Sequence, residues 1–327
     1  MSHVRTHSAI VLGAAAIASL ALAITGCSAV SGGSAGNGST SKALPKIHSV
    51  TYENPLPSYP AFNVAGKCFA AQAKKEGWKS TQVGITGTSV DNQGSINEIS
   101  QAIASGTDGI LAFPTVNSLF TPVFKQARSK GIYVVALNTG DPSTGQQTQV
   151  GTDNASMGKL MADGLGKADP NAHVAFISVS ADTQAQKDQI TGFQKEAAAT
   201  YPNMQTTVSV YDNGDATQDV DLISNTMAAH PDITAWFLTE GAAIPGAITA
   251  VKEAGKTSSV KLLGLDLTAD TQADLTAGTL FGVGDQGWCD MGTKAIIAMK
   301  DLSEGKKVPA VIATKNTFYT KDNLPSN

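Results

Sequence analysis

Residues 125–138, KQARSKGIYVVALN, and residues 252–266, KEAGKTSSVKLLGLD, are built alike. Each runs from the end of an amphipathic helix through a glycine that stops it into a short apolar strand. Each then reaches a polar residue at the strand's carboxyl end, Asn138 in the first and Asp266 in the second. A strand followed by a helix and then another strand makes a parallel pair, so the echo predicts two similar lobes, each built on a parallel sheet. In open parallel sheets ligands sit outside the carboxyl ends of the strands, and two facing lobes would bring Asn138 and Asp266 into one cleft. A polar residue at a strand exit also serves as a simple turn-former, so position alone does not assign either one a role.

The same alternation extends outward from residue 47. Strands are expected at 49–53, 81–86, 109–113, 133–137, 173–178, 206–211, 235–238 and 261–265, with amphipathic helical stretches at 96–105, 119–130, 155–167, 184–200, 219–230 and 244–254. The class is α/β, with doubly wound parallel sheets covered on both faces. Composition agrees: 327 residues suggest about two domains, and 42% hydrophobic residues suffice for real cores. Lys+Arg 23 against Asp+Glu 27 gives a formal net charge of −4, which argues against nucleic acid as a partner because phosphate neutralisation needs a basic surface.

The chain opens on residues 1–26, a short head carrying Arg5 and then a charge-free apolar run (AIVLGAAAIASLALAI) at 9–24. That is the pattern of a secretory signal, too short for a spanning helix and lacking a basic stop-transfer flank. Ile24-Thr25-Gly26-Cys27 resembles the lipobox of bacterial lipoproteins, in which the cysteine becomes a lipidated N-terminus; Ile24 stands where Leu is usual. The alternative is an ordinary cleaved signal with an incidental Cys27. Residues 27–43 then read as a flexible small-residue linker spanning about 20 Å. The expected location is the extracytoplasmic face of the bacterial cell membrane, held by lipid. Cys68 and Cys289 remain, either as a disulfide that persists outside the cell or as two buried thiols.

Motifs for chemistry are scarce. Gly282-Val-Gly284-Asp-Gln-Gly287 satisfies GxGxxG, but too late in the chain for a dinucleotide fingerprint, and GTDNASMGKL at 151–160 lacks the spacing and hydroxyl of a phosphate loop. His48, His173 and His230 form no metal-spaced cluster, and no serine elbow or Cys/His pair supplies a nucleophile. Asp153, Asp182, Asp215 and Glu240 could pair as acid and base or serve as hydrogen-bond acceptors. The balance favours binding without reaction, with no cofactor and no metal.

Against that background the chain resembles the substrate-binding proteins of ABC importers with the type I periplasmic-binding fold, in the branch that includes ribose-binding protein. The resemblance covers almost everything after the leader. It is carried by Tyr59-Pro60-Ala61-Phe62, YVVALN at 133–138, Thr152-Asp153-Asn154 opening a helix at Gly158-Lys159, and Gly192-Phe193. Further along come Ala229-His230-Pro231-Asp232, Gly246-Ala247 with Ala254-Gly255-Lys256, and Gly264-Leu265-Asp266. It implies two lobes, residues 44–152 with 286–315 and residues 153–285 with 316–327, joined by three hinge crossings near Thr152, Gln286 and Lys315. It implies a monomer that closes around one small sugar or polyol and presents it to an ABC permease and its ATPase. A sensory receptor signalling to a membrane kinase or chemoreceptor, or an extracytoplasmic sugar-active enzyme, are the alternatives. On this layout Cys289 starts a helix returning to the first lobe near Cys68, so a bridge would staple that lobe internally.

The resemblance also implies a site. Phe62 matches an aromatic that covers the sugar ring, Asp266 and Gln286 match polar contacts directly, and Asn138 stands where the family usually has Asp. Lys187 stands where an Arg is frequent and Glu240 where Asn is usual, while Phe113 and Gly214 replace a polar and an aromatic contact. Tyr59 and Trp288 are candidates to meet the C–H face of a ring, and Trp236, inside a strand, is read as core.

Overall fold

A strand covered on both faces has no polar side, and each stretch of apolar residues that alternates with a helix must be covered twice. The computed structural model describes residues 44–87 and 89–325; the leader, Cys27 and the linker lie outside them. The first sheet takes β1 (Ser49–Glu53), β2 (Lys79–Val83), β3 (Gly109–Ala112), β4 (Tyr133–Leu137) and β5 (Thr148–Gly151), connected through α1 (Pro60–Lys75), α2 (Asn92–Ala104) and α3 (Asn117–Ser129). Every residue of β4 is buried: Tyr133, Val135 and Leu137 enter the core layer under α1, and Val134 enters the layer under α2 and α3. β2 starts two residues before the expected 81 and stops at Val83, because its partner β1 ends at Glu53, opposite Val83.

After α4 (Asn154–Ala168) the plan repeats with β6 (His173–Ser178), α5 (Gln184–Thr200), β7 (Gln205–Tyr211), α6 (Asp219–Ala229), β8 (Ala235–Leu238), α7 (Ile244–Glu253), β9 (Lys261–Leu265), α8 (Ala269–Ala277) and β10 (Gly282–Asp285). The chain then closes with α9 (Trp288–Ser303), β11 (Val311–Ala313) and β12 (Thr317–Tyr319). The sheet orders are β11-β5-β4-β3-β1-β2 and β12-β10-β9-β8-β6-β7, the same order twice. All neighbours pair in parallel except β12, which runs antiparallel to β10.

The chain passes between sheets three times: from β5 into α4, from β10 into α9, and from β11 into β12. α4 therefore packs with the second sheet's α5, and α9 with the first sheet's α1. Gly158 and Gly192 let α4 and α5 touch backbone to backbone; a Cβ on Gly158 would lie 1.8 Å from the Gln189 carbonyl oxygen. Cys68 on α1 and Cys289 on α9 are joined by a disulfide across 221 residues of chain. Closing so long a loop stabilises the fold by about 5 kcal/mol on the chain-entropy account. Trp236 lies fully buried in β8. The GxGxxG stretch is strand rather than phosphate loop: Gly282 and Gly284 belong to β10, where side chains would strike the Phe318 ring and the Met157 sulfur. Among the described residues, no helix is long and apolar enough to cross a membrane.

Candidate functional site

The two echoing segments end in the same way. Asn138 and Asp266 both adopt left-handed backbone, φ 59° and 71°, a conformation that Asn and Asp tolerate better than most residues. Each donates its backbone N–H across to the next strand at 2.8 Å, Asn138 to the Val150 carbonyl and Asp266 to the Gly284 carbonyl. The break in each strand leaves both side chains on the wall of one cavity of about 280 Å³. Its lining comes from the carboxyl ends of strands of both sheets and the first turns of the helices that follow.

One wall is aromatic. Phe62, on the first turn of α1 and 7% exposed, is ringed edge-to-face by Tyr59 at 5.1 Å, Trp288 at 4.9 Å and Phe113 at 5.9 Å between centroids. Edge-to-face packing of this kind leaves a rigid C–H and π surface. The opposite wall is polar: Gln186 and Gln189 on α5, Asp212 after β7, Thr239 and Glu240 after β8, and Asp266 after β9.

Asp266 ties the two walls together. Its Oδ2 accepts from the Tyr59 hydroxyl at 2.5 Å, and its Oδ1 accepts from Gln286 Nε2 at 2.7 Å and Trp288 Nε1 at 2.6 Å. Burial pushes its pKa up to about 6, against the downward pull of those three donors. Gln286, in the β10–α9 crossing, also accepts from Asn138 Nδ2 at 3.3 Å, and its carbonyl accepts from the Thr314 hydroxyl at 2.8 Å. The Asn138 Oδ1 is buried and accepts nothing from the protein. At another crossing the Thr152 hydroxyl bonds Asn316.

Seven of the eight candidate ligand residues thus line one cavity: Tyr59, Phe62, Asn138, Glu240, Asp266, Gln286 and Trp288. Lys187 does not. It is exposed on α5, while Ala185, Gln186 and Gln189 of the same helix reach the cavity. One residue is about 100° of helix, enough to turn Lys187 off the face that its neighbours bury. The buried spacing Ala185, Gln189, Gly192, Phe193 on α5 was a signal that sets this phase. Asp212 and Asp219, missed from sequence, are buried near Glu240, and nothing in their local sequence separates them from surface acids. Asp153 and Asp215 cap helical turns and Asp182 is exposed, so these three and Glu240 form no acid/base couple. Among the described residues, no group of His, Cys, Asp or Glu is placed to hold a metal ion.

The periplasmic binding protein domain family matches this chain over residues 54–307. The ribose import binding protein RbsB of Bacillus subtilis is 27% identical over 266 residues, covering 80% of this chain and 84% of that protein. RbsB of Escherichia coli is 28% identical over 206 residues, covering 63% and 69% respectively. Among solved structures, GanP, a glucose-galactose binding protein from Geobacillus stearothermophilus, superposes with a TM-score of 0.80 at 23% identity, over 86% of this chain and 100% of that one. With two like parallel sheets, three crossings and a cleft at their strand ends, the chain belongs to the periplasmic binding protein family.

Proposed function

We propose that this protein is the extracytoplasmic solute receptor of an ABC importer, binding a monosaccharide or sugar-like polyol between its two lobes and delivering it to the membrane permease and its ATPase. The observation that carries this reading is Asp266, a buried carboxylate on the second-sheet wall that accepts from Tyr59 and Trp288 across the cleft and from Gln286 in the β10–α9 crossing. A hydroxyl-rich solute loses water on every hydroxyl as a cleft shuts, and each buried polar group left unpaired costs about 1–3 kcal/mol. Convergent Asn, Gln and Asp side chains meet that need, and the Phe62 cluster meets the ring's C–H face. The cavity, about 280 Å³, is at the low end for small-molecule sites, which suits one small solute.

The lobes in this reading are residues 44–152 with 286–315 and residues 153–285 with 316–327, and the three crossings are the hinge. Closure on the solute is a population shift driven by contacts to both lobes, and the solute leaves chemically unchanged. In this reading the body is tethered to the membrane by a lipid on Cys27. Calorimetric titration with a panel of monosaccharides and polyols tests the proposal, with small-angle scattering to read closure. Saturable binding with a more compact profile is expected; no binding and no compaction with any member would overturn it.

A further inference from the structure

Three acids crowd one corner of the cavity, with no cation beside them among the described residues. Asp212 is 1% exposed; its Oδ1 accepts the Gly214 N–H at 2.8 Å, and its Oδ2 accepts nothing from the protein. Asp219, the first residue of α6, is fully buried, and neither of its oxygens accepts from an N–H or hydroxyl; its carboxyl reaches that of Asp212. The Oε1 of Glu240 is also buried and unpartnered. Asp212 and Glu240 line the cavity, and Asp219 stands behind them against Gly246.

The titratable groups that face this cluster are Asp212 just after β7, Asp215 in the β7–α6 connection, Asp219 at the start of α6, Glu240 after β8, and Tyr59, across the cleft just before α1. All are acidic, and no Lys, Arg or His is among the residues that line the cavity. Burial and then the Asp212 charge push Asp219 up to about 7, and burial with the charges of Asp212 and Asp219 drives Glu240 well above the usual carboxylate range. Buried like charges at this spacing must hold protons or meet a cation. An ammonium group brings three N–H donors, a positive charge and no acceptor, the complement of a wall of free acceptor oxygens.

We infer that the solute carries a protonated amino group, seated against Asp212 and Glu240 with Asp219 behind them, so that the ligand class is an amino sugar or amino polyol. This inference rests on the reading of the cavity as a small-solute cleft and narrows what fills it. The Asp266 and Phe62 side of the cavity takes the hydroxyls and the C–H face; the acidic corner takes the amine.

The test is calorimetry on the full chain at pH 7.5 with matched pairs: D-glucosamine with D-glucose, D-galactosamine with D-galactose, and 1-amino-1-deoxy-D-sorbitol with D-sorbitol. The expected result is an amino member that binds about 30-fold or more tighter than its neutral parent, the scale of a buried charge pair. Repeating that titration at pH 6, where the free amine is already fully protonated, in buffers of different ionisation enthalpy should show protons released by the amino member and none by the parent. Glu240→Gln should cut the amino-to-neutral ratio by about tenfold, with Asp212→Asn as the second variant if the first does not fold. A neutral parent that binds as tightly as its amino partner would overturn the inference and leave the cleft reading standing. Absence of binding by every member would overturn the inference, while the cleft reading falls only if the wider panel of monosaccharides and polyols also fails to bind; a rise in the melting temperature of chelator-treated protein with calcium or magnesium alone would overturn the ammonium assignment.

Discussion

The two walls of the cleft are built on sheets of the same strand order, yet they differ in chemistry. The wall beside the first sheet is Tyr59, Phe62, Phe113 and Trp288, and it contributes no carboxylate. The wall beside the second sheet contributes every acid that lines the cavity: Asp212, Glu240 and Asp266. The equivalent strand exits show the divergence directly, because Asn138 and Asp266 share a backbone conformation and a backbone hydrogen bond but not a charge. A repeated strand order thus supplies two like platforms, and the side chains at their ends differ in charge: amides, a hydroxyl and aromatic rings on one, carboxylates on the other.

The largest effect should come from Asp266, where the walls meet. Asp266→Ala leaves the Tyr59 hydroxyl, Gln286 Nε2 and Trp288 Nε1 without their acceptor, and solute affinity should fall about 100-fold or more. Titration of the variant with whichever solute binds the parent protein reads this; undiminished affinity would detach Asp266 from the site.

Phe62→Ala attacks the other wall. Removal of a buried ring at the centre of three edge-to-face contacts should cost about 3 kcal/mol of stability, seen as a lower urea midpoint, as well as weakening binding. The disulfide belongs to the same side. Cys68→Ser with Cys289→Ser should cost about 2–5 kcal/mol in urea unfolding while changing solute affinity by less than about twofold, because the bridge lies within the α1–α9 pair.

A pH series reads the buried acids on both sides of the cleft without mutation. Glu53 and Asp219 are pushed up to about 7 and Asp266 to about 6, in each case chiefly by burial. The folded-state values stand above the ordinary carboxylate value of about 4, so the native protein holds protons that the unfolded chain releases. Their stabilising contribution is complete below pH about 4 and is lost as pH rises through 6 to 7. The urea midpoint of the ligand-free protein should therefore fall between pH 4.5 and 7.5, and a flat or rising profile would contradict the burial of these groups.

The smallest effect is expected at Lys187. Lys187→Ala should change affinity by less than about twofold, since the side chain is exposed and off the cavity, whereas Gln186→Ala should weaken binding about tenfold. Gln186 lines the cavity and its Oε1 accepts the Val179 N–H at 3.0 Å, holding the exit of β6 in place.

Much of this was legible before any coordinates. The echo between residues 125–138 and 252–266 carried the repeated sheet, because apolar runs stopped by glycine and ended by Asn or Asp obey local rules of backbone and burial. β5 and β10, with the sequences TQVG and GVGD, escaped those rules: they are too short and too poor in branched residues to be read locally, and are strands because β4 and β9 offer them an edge. Seven of the eight candidate ligand residues share one cavity because strand exits and the helix starts that follow them converge, whereas Lys187 lies off it, one residue out of phase on α5.

Sequence by itself determined the α/β class, the two lobes and the polar residues at the strand ends, since periodicity and turn chemistry act over a few neighbours. Only the tertiary structure decided that β12 runs antiparallel, that Asp266 is held by Tyr59 and Trp288 from across the cleft, and that Asp212, Asp219 and Glu240 share one buried corner. Those facts depend on which distant segments meet and on how much water is excluded between them, and burial acts through space rather than along the chain.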